Sequence, residues 1–396
     1  MSSQLDCWTR SIFPRDSEAS DRIAFQPHGL SLSYNWTAGV VIENAALPSQ
    51  LYWKVPFFMN KTFTKTVCVC LSMFSLVFLH SSGQQLRAQG FSISRGESHV
   101  TIEYDGKLVT RYHFRDADAK KPYFWPVIGP KGKSMTRAFP METVAGEQHD
   151  HPHHRGVWFG HQGVAGTDTW LEAASKKSKG EEQQKFLDGL GTIAHVTFTE
   201  TSANKQKAVI RASHDYLDSS GKKLMADERS MTFQRSENGQ LVLDFDITLI
   251  GKYGDVELQD KKDAGLNVRV PTSMSLTHGK GHIINSSGDR DVDTWSKTAQ
   301  WVDYHGPVDG EHLGVAFLNH PSSFRHPTKW HVRDYGLFTA NAFGLQSLDP
   351  KSESGTFTLK NGEAVQLRHR IIFHEGDEKA AGIAEAYQAY AASKPN

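Results

Sequence analysis

Histidines are concentrated in one short stretch of the chain. Five of its 20 histidines lie within the thirteen residues from His149 to His161, most of them in the segment DHPHHRGVWFGH. A neutral imidazole can accept or donate a proton near pH 7, and imidazole is also the commonest metal ligand in proteins. The stretch is rich in Gly, Pro and aromatic residues, which is typical of a loop that carries a functional site on a rigid scaffold. We therefore expect this segment to carry the chemistry of the protein.

The first hypothesis for this segment is acid–base catalysis. It assigns proton transfer to His153 and His154, with His331 as their partner. His161 and Glu172 are further candidates, because both are titratable side chains close to the cluster in sequence. These five residues form the predicted catalytic set.

Cations and aromatic rings near these histidines predict substrate contacts. A guanidinium can bind an anionic group or a developing oxyanion, which suits Arg155 and Arg333. In an extended segment KWHVRDYG, His331 and Arg333 lie on the same face of the strand. Trp301 belongs to a further aromatic and polar patch, WVDYH, and an aromatic ring of this kind can stack on a sugar.

The second hypothesis is a metal site. In an extended backbone His149, His151 and His153 alternate onto one face, and three imidazoles can bind a divalent metal ion for redox, hydrolytic or structural purposes. A third hypothesis is a non-catalytic glycan-binding module, in which Trp301 contributes to binding. Each of these three hypotheses is compatible with the residue types alone.

The rest of the chain predicts a scaffold of antiparallel strands. Apolar and polar residues alternate with period two in several segments, and Asp105-Gly106 predicts a tight hairpin turn between His99–Tyr104 and Lys107–Tyr112. The segment Asp377–Ala392 predicts a C-terminal helix, and Leu171–Gly191 a shorter one. Further strands are predicted at Thr192–Glu200, Lys207–Tyr216, Lys223–Gln234, Gln240–Ile250, Leu266–Met274, His282–Asn285, Gly314–Leu318, Gly336–Thr339, Thr356–Leu359 and Ala364–Phe373. These elements predict an all-β fold, a large antiparallel β-sandwich with a short C-terminal helix.

The motifs and the charge balance of the sequence exclude some classes of cofactor and partner. The sequence has no Rossmann glycine fingerprint and no P-loop, so we expect no nucleotide cofactor. The 44 basic and 44 acidic side chains balance, which argues against nucleic acid as a partner. We expect a small-molecule or oligosaccharide substrate.

The apolar segment Val67–Leu79 predicts a signal peptide. At thirteen residues it is shorter than the roughly 20 that a spanning helix needs, so we expect no stable membrane span. Basic residues precede it, and Ala88 offers a cleavage site, which predicts a secreted or periplasmic protein. On this interpretation residues 1–58 are a gene-model extension, 59–89 the signal peptide and 90–396 a single β-sandwich domain. The alternative is that residues 1–58 are translated and that Val67–Leu79 is a buried core segment.

Several segments together resemble the PmoA family, whose members carry the transferred label "methane oxygenase PmoA". They are PYFWPVIGP, DHPHHRGVWFGH, WHVRDYGLFTANAFG and RHRIIFHEGD, and the resemblance covers residues 95–378. It implies a bacterial protein of carbohydrate utilisation with a galactose-mutarotase-like supersandwich fold. Methane oxidation itself is not expected, because the mature chain lacks spanning helices.

The resemblance also adds residues to the predicted site. Carried over position by position, it places Arg137, Trp158 and Asn341 in the substrate-binding set beside Arg155 and Arg333. The chain departs from the family pattern at residues 260–265, so the resemblance assigns no acidic role there. The leading hypothesis is thus a secreted carbohydrate-active enzyme that uses His and Arg side chains for epimerase, mutarotase or lyase chemistry.

Overall fold

The computed structural model describes residues 89–394. The predicted extension over residues 1–58 lies outside the described residues, as does the predicted signal peptide over 59–89 apart from Gln89. Both stay predictions. Within the described part of the chain, no helix combines the length and the apolar character that crossing a membrane requires.

Strands dominate this part of the chain and form two sheets, with strands numbered along the chain. The strands of the first sheet are β1 (Phe91–Arg95), β2 (His99–Tyr104), β3 (Lys107–His113), β4 (Tyr123–Val127), β5 (Val157–Val164), β6 (Thr167–Asp168), β11 (Val256–Leu258), β12 (Ala264–Arg269), β16 (Lys329–Val332), β17 (Leu337–Asn341) and β18 (Phe357–Leu359). Their main path is β1-β2-β3-β4-β5-β12-β17-β16, and β6 and β11 both pair with β5.

The second sheet has eight strands in the order β13-β14-β15-β19-β10-β9-β8-β7. Its strands are β7 (Thr192–Ala203), β8 (Lys207–Leu217), β9 (Lys223–Arg235), β10 (Leu241–Ile250), β13 (His282–Asn285), β14 (Trp301–Val308), β15 (Glu311–Asn319) and β19 (Ala364–Glu375). The α-helices of the described residues are α1 (Gly180–Asp188), α2 (Leu345–Leu348) and α3 (Ile383–Ala391).

Aromatic side chains between the sheets form the centre of the core. The ring of Phe124 in the first sheet lies 5.2 Å from that of Phe233 in the second, and Phe317 of β15 lies 5.2 Å from Trp330 of β16. Pairing within both sheets is antiparallel. The predicted all-β fold, a large antiparallel sandwich with a short C-terminal helix, is therefore confirmed.

Local sequence signals account for many element boundaries. Asp105 and Gly106 both adopt positive φ, 51° and 71°, as a type I′ hairpin turn requires. The predicted C-terminal helix begins only at Ile383, because Gly382 before it has a left-handed φ of 66°. The predicted strand Leu266–Met274 ends at Arg269, and Thr272–Met274 forms a 3₁₀ helix after Pro271.

The central strands of the first sheet are polar on the side away from the core. Core-facing residues such as Phe159, Leu266 and Phe338 alternate with residues whose side chains point to the opposite side. We call this opposite side the outer face; its members on β5, β12, β16 and β17 are Trp158, Asn267, Arg269, His331, Thr339 and Asn341, and all are buried. Close strand approach here depends on Gly265, where a Cβ would lie 2.0 Å from the backbone oxygen of Ala340.

Candidate functional site

Two buried arginines fix the histidine-rich loop on the outer face. Arg269 donates from Nη2 to Oδ1 of Asp150 at 2.7 Å, and Arg137 donates to the same oxygen. Arg137 also donates to the backbone oxygen of His151 at 3.0 Å. Burial raises the pKa of Asp150, but the hydrogen bond from His151 and the charges of Arg269 and Arg137 outweigh it and keep that pKa well below its usual range. Asp150 is therefore a permanent carboxylate at the base of the loop.

His151 is oriented by this carboxylate. Its Nδ1 lies 2.6 Å from Oδ2 of Asp150, and its ring stacks on Tyr335 with centroids 4.9 Å apart. Because an ionised carboxylate can only accept, Nδ1 carries the proton and Nε2 has a free lone pair. The side chain is 39% exposed, and the backbone has a left-handed φ of 43°. An oriented imidazole in a strained loop has the geometry of a general base.

A second carboxyl group, that of Asp263, lies near enough to His151 to feel its charge and is beside a second imidazole. Oδ1 of Asp263 is 3.5 Å from Nδ1 of His331, which donates to the backbone oxygen of Lys262 at 2.8 Å. Burial raises the pKa of Asp263, while the charges of Lys262, His151 and other neighbours act on the same carboxyl. Burial lowers the pKa of His331 to about 3, so that its ring is neutral at physiological pH. Asp263 can thus donate a proton at a pH where an ordinary carboxyl is ionised.

Arg333 brings a cation to the same space. Its guanidinium lies 4.9 Å from the ring centroid of Trp295 and 5.3 Å from that of Tyr335. Trp295 in turn lies 5.0 Å from the ring of His331. Among residues 89–394 the Arg333 guanidinium makes no hydrogen bond and no ion pair with a carboxylate, so its donors are available to a ligand. The predicted adjacency of His331 and Arg333 is therefore present.

His153 and His154 lie deeper beneath the loop. The ring of His154 lies 4.7 Å from His151 and stacks on Trp158, and its Nδ1 accepts from Arg269 at 3.2 Å. Nδ1 of His153 is 2.9 Å from the hydroxyl of Ser175. Burial, aided by neighbouring positive charges, lowers the pKa of His153 to about 2 and that of His154 well below its usual range. Both rings are neutral hydrogen-bonding groups at neutral pH, and their predicted role in proton transfer stays a prediction.

Glu172 and Arg155 lie behind the site and pair with each other. Nε of Arg155 donates to both oxygens of Glu172, at 2.8 and 3.1 Å, and Lys121 donates to the same carboxylate at 2.9 Å. Glu172 also participates in a reciprocal capping pair with Ser175, the residue that contacts His153. The charges of Glu172 and Arg155 already compensate each other here, and the expectations that Glu172 is catalytic and that Arg155 binds substrate stay predictions. Glu172 thus holds Ser175, and the hydroxyl of Ser175 holds the ring of His153.

Three predicted substrate-binding residues, Arg137, Asn341 and Trp158, make their contacts within the protein, and their role in binding stays a prediction. Arg137 is saturated by Asp150 and by backbone oxygens of its own loop. Asn341 donates to the backbone oxygens of residues 261 and 262 and accepts from two backbone amides, so it fixes the turn that carries Asp263. Trp158 is fully buried beneath His154. The polar groups of Arg137 and Asn341 are thus already bonded within the protein, whereas Nε1 of Trp158 has no partner among the described residues.

Strand alternation and sheet membership place His161 and Trp301, two further predicted site residues, away from the residues described above. His161 lies three positions after Trp158 on β5 and therefore points into the sandwich, where its ring meets Phe343 of the core at 5.1 Å. Burial lowers the pKa of His161 to about 3. Trp301 belongs to the second sheet and packs in a hydrophobic cluster with Tyr387 of α3. His161 is not in the site, and Trp301 is not at its surface.

The structure does not assemble the predicted metal site. His149 is exposed and stacks on Phe139, at a centroid distance of 4.8 Å, while His151 and His153 direct Nδ1 to Asp150 and Ser175. The left-handed φ of His151 breaks the extended backbone on which the alternation depended. Within residues 89–394, His149, His151 and His153 therefore do not converge on a common point.

Sequence reasoning gave no role to three residues of this site: Asp150 entered only as part of the DHPHHR motif, an acidic role for Asp263 was doubted, and Tyr335 was not considered. Asp263 precedes β12 by one residue, in the segment where the chain departs from the expected pattern. Tyr335 follows β16 and Arg333 in a tight turn, at which the backbone amide of Gly336 donates to the oxygen of Arg333. A polar residue at a strand end was a usable signal, but it was no stronger here than at many other strand ends.

Residues 99–388 match a family described as a "Family of unknown function (DUF6807)". This overturns the resemblance to PmoA, which is wrong, because neither the family match nor the similar structures indicate that family. No curated protein has a significant sequence match to the chain.

Solved structures with partial similarity are named as carbohydrate enzymes. A polysaccharide lyase is 14% identical with a TM-score of 0.28, over 74% of this chain and 33% of its own. A GalM/aldose epimerase homologue from C. elegans is 7% identical with a TM-score of 0.30, over 73% of this chain and 99% of its own. A glycoside hydrolase family 97 enzyme from Pseudoalteromonas sp. strain K8 is 10% identical with a TM-score of 0.28, over 72% and 35% of the two chains. The chain spans about a third of the lyase, and TM-scores this low carry no argument about the site.

Proposed function

The chain belongs to the family of unknown function DUF6807, and we propose that it is an enzyme that acts on a sugar or modified sugar by acid–base catalysis. The observation that carries the proposal is the convergence of three groups around Tyr335. These groups are the Asp150-oriented imidazole of His151, the buried carboxyl of Asp263 and the guanidinium of Arg333.

Each group has a role in this proposal. Nε2 of His151 takes a proton from the substrate, and the proton on Asp263 goes to the oxygen that becomes a hydroxyl or a leaving group. Arg333 binds the carbonyl, ring oxygen or acidic group that gains negative charge. The deeper rings of His153 and His154 are neutral, and they supply hydrogen bonds rather than charge. Epimerisation, mutarotation and elimination all need this pair of proton-transfer groups.

Aromatic surfaces favour a saccharide as the substrate. Trp295 and Tyr335 flank Arg333, and Tyr335 stacks on His151, so ring faces and polar groups alternate around one space. A sugar presents apolar ring faces and hydroxyl edges in the same way. We also propose that the protein acts outside the cytoplasm, following the predicted signal peptide upstream of Ala88.

The test is a panel of neutral, acidic and oxidised sugars assayed with the purified protein. Polarimetry detects mutarotation, proton NMR in D₂O detects exchange at an epimerised carbon, and ultraviolet absorbance detects the double bond formed by elimination. We expect turnover in one of these assays. His151→Gln and Asp263→Asn should each lower kcat by at least about 100-fold, since each removes one proton-transfer group.

His149→Gln is the matched control. It lies two residues from His151, it is exposed, and its ring contacts Phe139 rather than the site. The control should keep wild-type turnover and the wild-type circular dichroism spectrum. Folded His151→Gln and Asp263→Asn variants with full activity would refute the assignment of the site.

A further inference from the structure

A second cluster of titratable side chains lies on the other sheet, away from the proposed catalytic residues. Asp303 and His305 are two residues apart on β14 and therefore point to the same side of the second sheet. Glu378 joins them from the turn that precedes α3. One nitrogen or oxygen ligand atom from each of the three lies within 4.8 Å of the other two, and all three residues are buried.

The ligand atoms around His305 lie close to the spacing of a coordination site, and a hydrogen bond now joins two of them. Nδ1 of His305 lies 2.6 Å from Oδ1 of Asp303 and 3.9 Å from Oε2 of Glu378. In a tetrahedral zinc site with metal–ligand bonds near 2.0–2.2 Å, adjacent ligand atoms are about 3.4 Å apart. Relative to Nδ1 of His305, the oxygens of Asp303 and Glu378 would each need to move by less than about 1 Å to reach that spacing.

Asp303 also has the supporting contact that metal ligands usually have. Nε2 of His374 lies 2.6 Å from Oδ2 of Asp303, so the carboxylate is fixed through the oxygen that a metal would not use. The ring of His374 lies where a side chain at position 314 would be, because a Cβ on Gly314 would meet it at 2.2 Å. The glycine thus gives His374 access to Asp303.

Two more imidazoles lie near His305, on the exposed side of the cluster. The ring of His312 lies 5.5 Å from that of His305, and the ring of His282 lies 6.0 Å from it. Both are exposed and either can approach an ion held by the buried residues. The competing cation is Arg290, but its guanidinium is 4.0 Å from Glu378 and its side chain is 58% exposed. A weak surface contact of this kind does not compensate the buried carboxylate of Glu378, while the contacts of Asp303 are those with His305 and His374.

We propose that Asp303, His305 and Glu378 bind a divalent transition-metal ion, with zinc as the best match to one imidazole and two carboxylates. His312 or His282 supplies a further ligand, and water completes the coordination. The ion would join β14 to the segment that leads into α3, whose residues Tyr387 and Tyr390 pack on the same sheet. Its role is to fasten the C-terminal helix, and it is independent of the catalytic proposal.

The experiment is a zinc titration of the full chain, purified without a histidine tag and stripped with a chelator. Isothermal titration calorimetry should show one zinc bound per chain, and saturating zinc should raise Tm because the ion binds the folded state. Glu378→Gln should weaken zinc binding at least tenfold, since it removes a ligand. Hydrogen exchange in α3 should be faster in the stripped protein than in the zinc-bound protein.

Glu375→Gln is the matched control, three residues earlier in the chain. Its carboxylate is exposed and pairs with Lys131, so zinc binding and the zinc-dependent rise in Tm should match those of the wild type. The proposal is overturned if the stripped wild type binds no zinc, or if Glu378→Gln and Glu375→Gln bind it equally. His312→Ala and His282→Ala are further variants at the exposed edge, and at least one of the two should weaken zinc binding without altering the fold.

Discussion

Replacing Asp150 by Asn should destabilise the protein and also disable the site, because the same carboxylate pairs with two buried arginines and orients His151. The carboxylate is the counter-ion of Arg137 and Arg269, whose side chains are 0% and 1% exposed. Removing one partner of a fully buried ion pair costs about 3–5 kcal/mol. Because the Asp150 side chain is 32% exposed, solvent already screens part of this interaction. We therefore expect a loss of about 2–3 kcal/mol in the free energy of unfolding.

Urea denaturation followed by circular dichroism measures this loss. With an m-value of about 2–3 kcal/mol/M, the midpoint should fall by about 1 M urea with no change in m. The native pKa of Asp150 is lowered, so its contribution is complete above the unfolded pKa near 3.8, declines as the pH falls from there toward the lower native pKa, and is lost below it. The difference between wild type and variant should therefore be constant from pH 6 to pH 8.

The control is Asp255→Asn, which removes an exposed carboxylate that pairs with Lys360. Exposed pairs contribute about 0–1 kcal/mol, so this variant should unfold almost as the wild type does. Equal stability of the two variants would refute the argument that Asp150 compensates buried charge. An Asp150→Asn protein with unchanged turnover would separately refute the orientation of His151 by that carboxylate.

Three further outcomes are expected. Gly265→Ala should cost more than about 2 kcal/mol in urea denaturation, because a Cβ there would lie 2.0 Å from a backbone oxygen and the residue has a φ of 127°; a stable variant would contradict the register of β12 with β17. His161→Leu should keep both turnover and stability, since both ring nitrogens are buried without partners, and a loss of activity would return His161 to the site. Burial lowers the pKa of four histidines to about 2 or 3, so below pH 6.5 the unfolded state binds protons that the folded state does not. The free energy of unfolding is therefore unaffected by these groups above pH 6.5 and falls by up to about 5 kcal/mol per pH unit below it. Circular dichroism should show unfolding above pH 4, and a native spectrum at pH 3 would exclude this cause. The four are His153, His161, His331 and His369.

The fold was predictable wherever local chemistry specifies it. Asp105-Gly106 predicts its hairpin because only that turn joins two short alternating strands without splaying them. β5 gave no such signal, since seven of its eight residues are buried and no apolar–polar alternation distinguishes it. The strand that carries the histidine cluster into the sheet was therefore invisible in the pattern.

The composition of the site was predictable, but its geometry was not. Five clustered histidines indicate a local function, yet which of them faces a ligand depends on contacts between distant residues. Arg269 reaches Asp150 across 119 positions of sequence, and that contact places His151 at the surface and His154 beneath it. His161 is a second case in which the sequence did not reveal where a side chain points. It lies on the opposite face of β5 from Trp158, and its ring therefore packs in the core.

Burial divides the histidines of the loop into two kinds of group. His153 and His154 are almost fully buried, close to the charges of Arg269 and Arg137, so that accepting a proton is unfavourable for either ring. His151 is half-exposed and has a carboxylate rather than a cation at its Nδ1. A substrate that enters the site would meet the proton acceptor first and neutral imidazoles beyond it. Because Arg269 donates an N–H to Nδ1 of His154, the ring proton of His154 is on Nε2. There it could stabilise negative charge that develops when His151 removes a proton. The residues that the sequence marks as bases thus fit better as donors to an oxyanion, with His151 as the base that they assist.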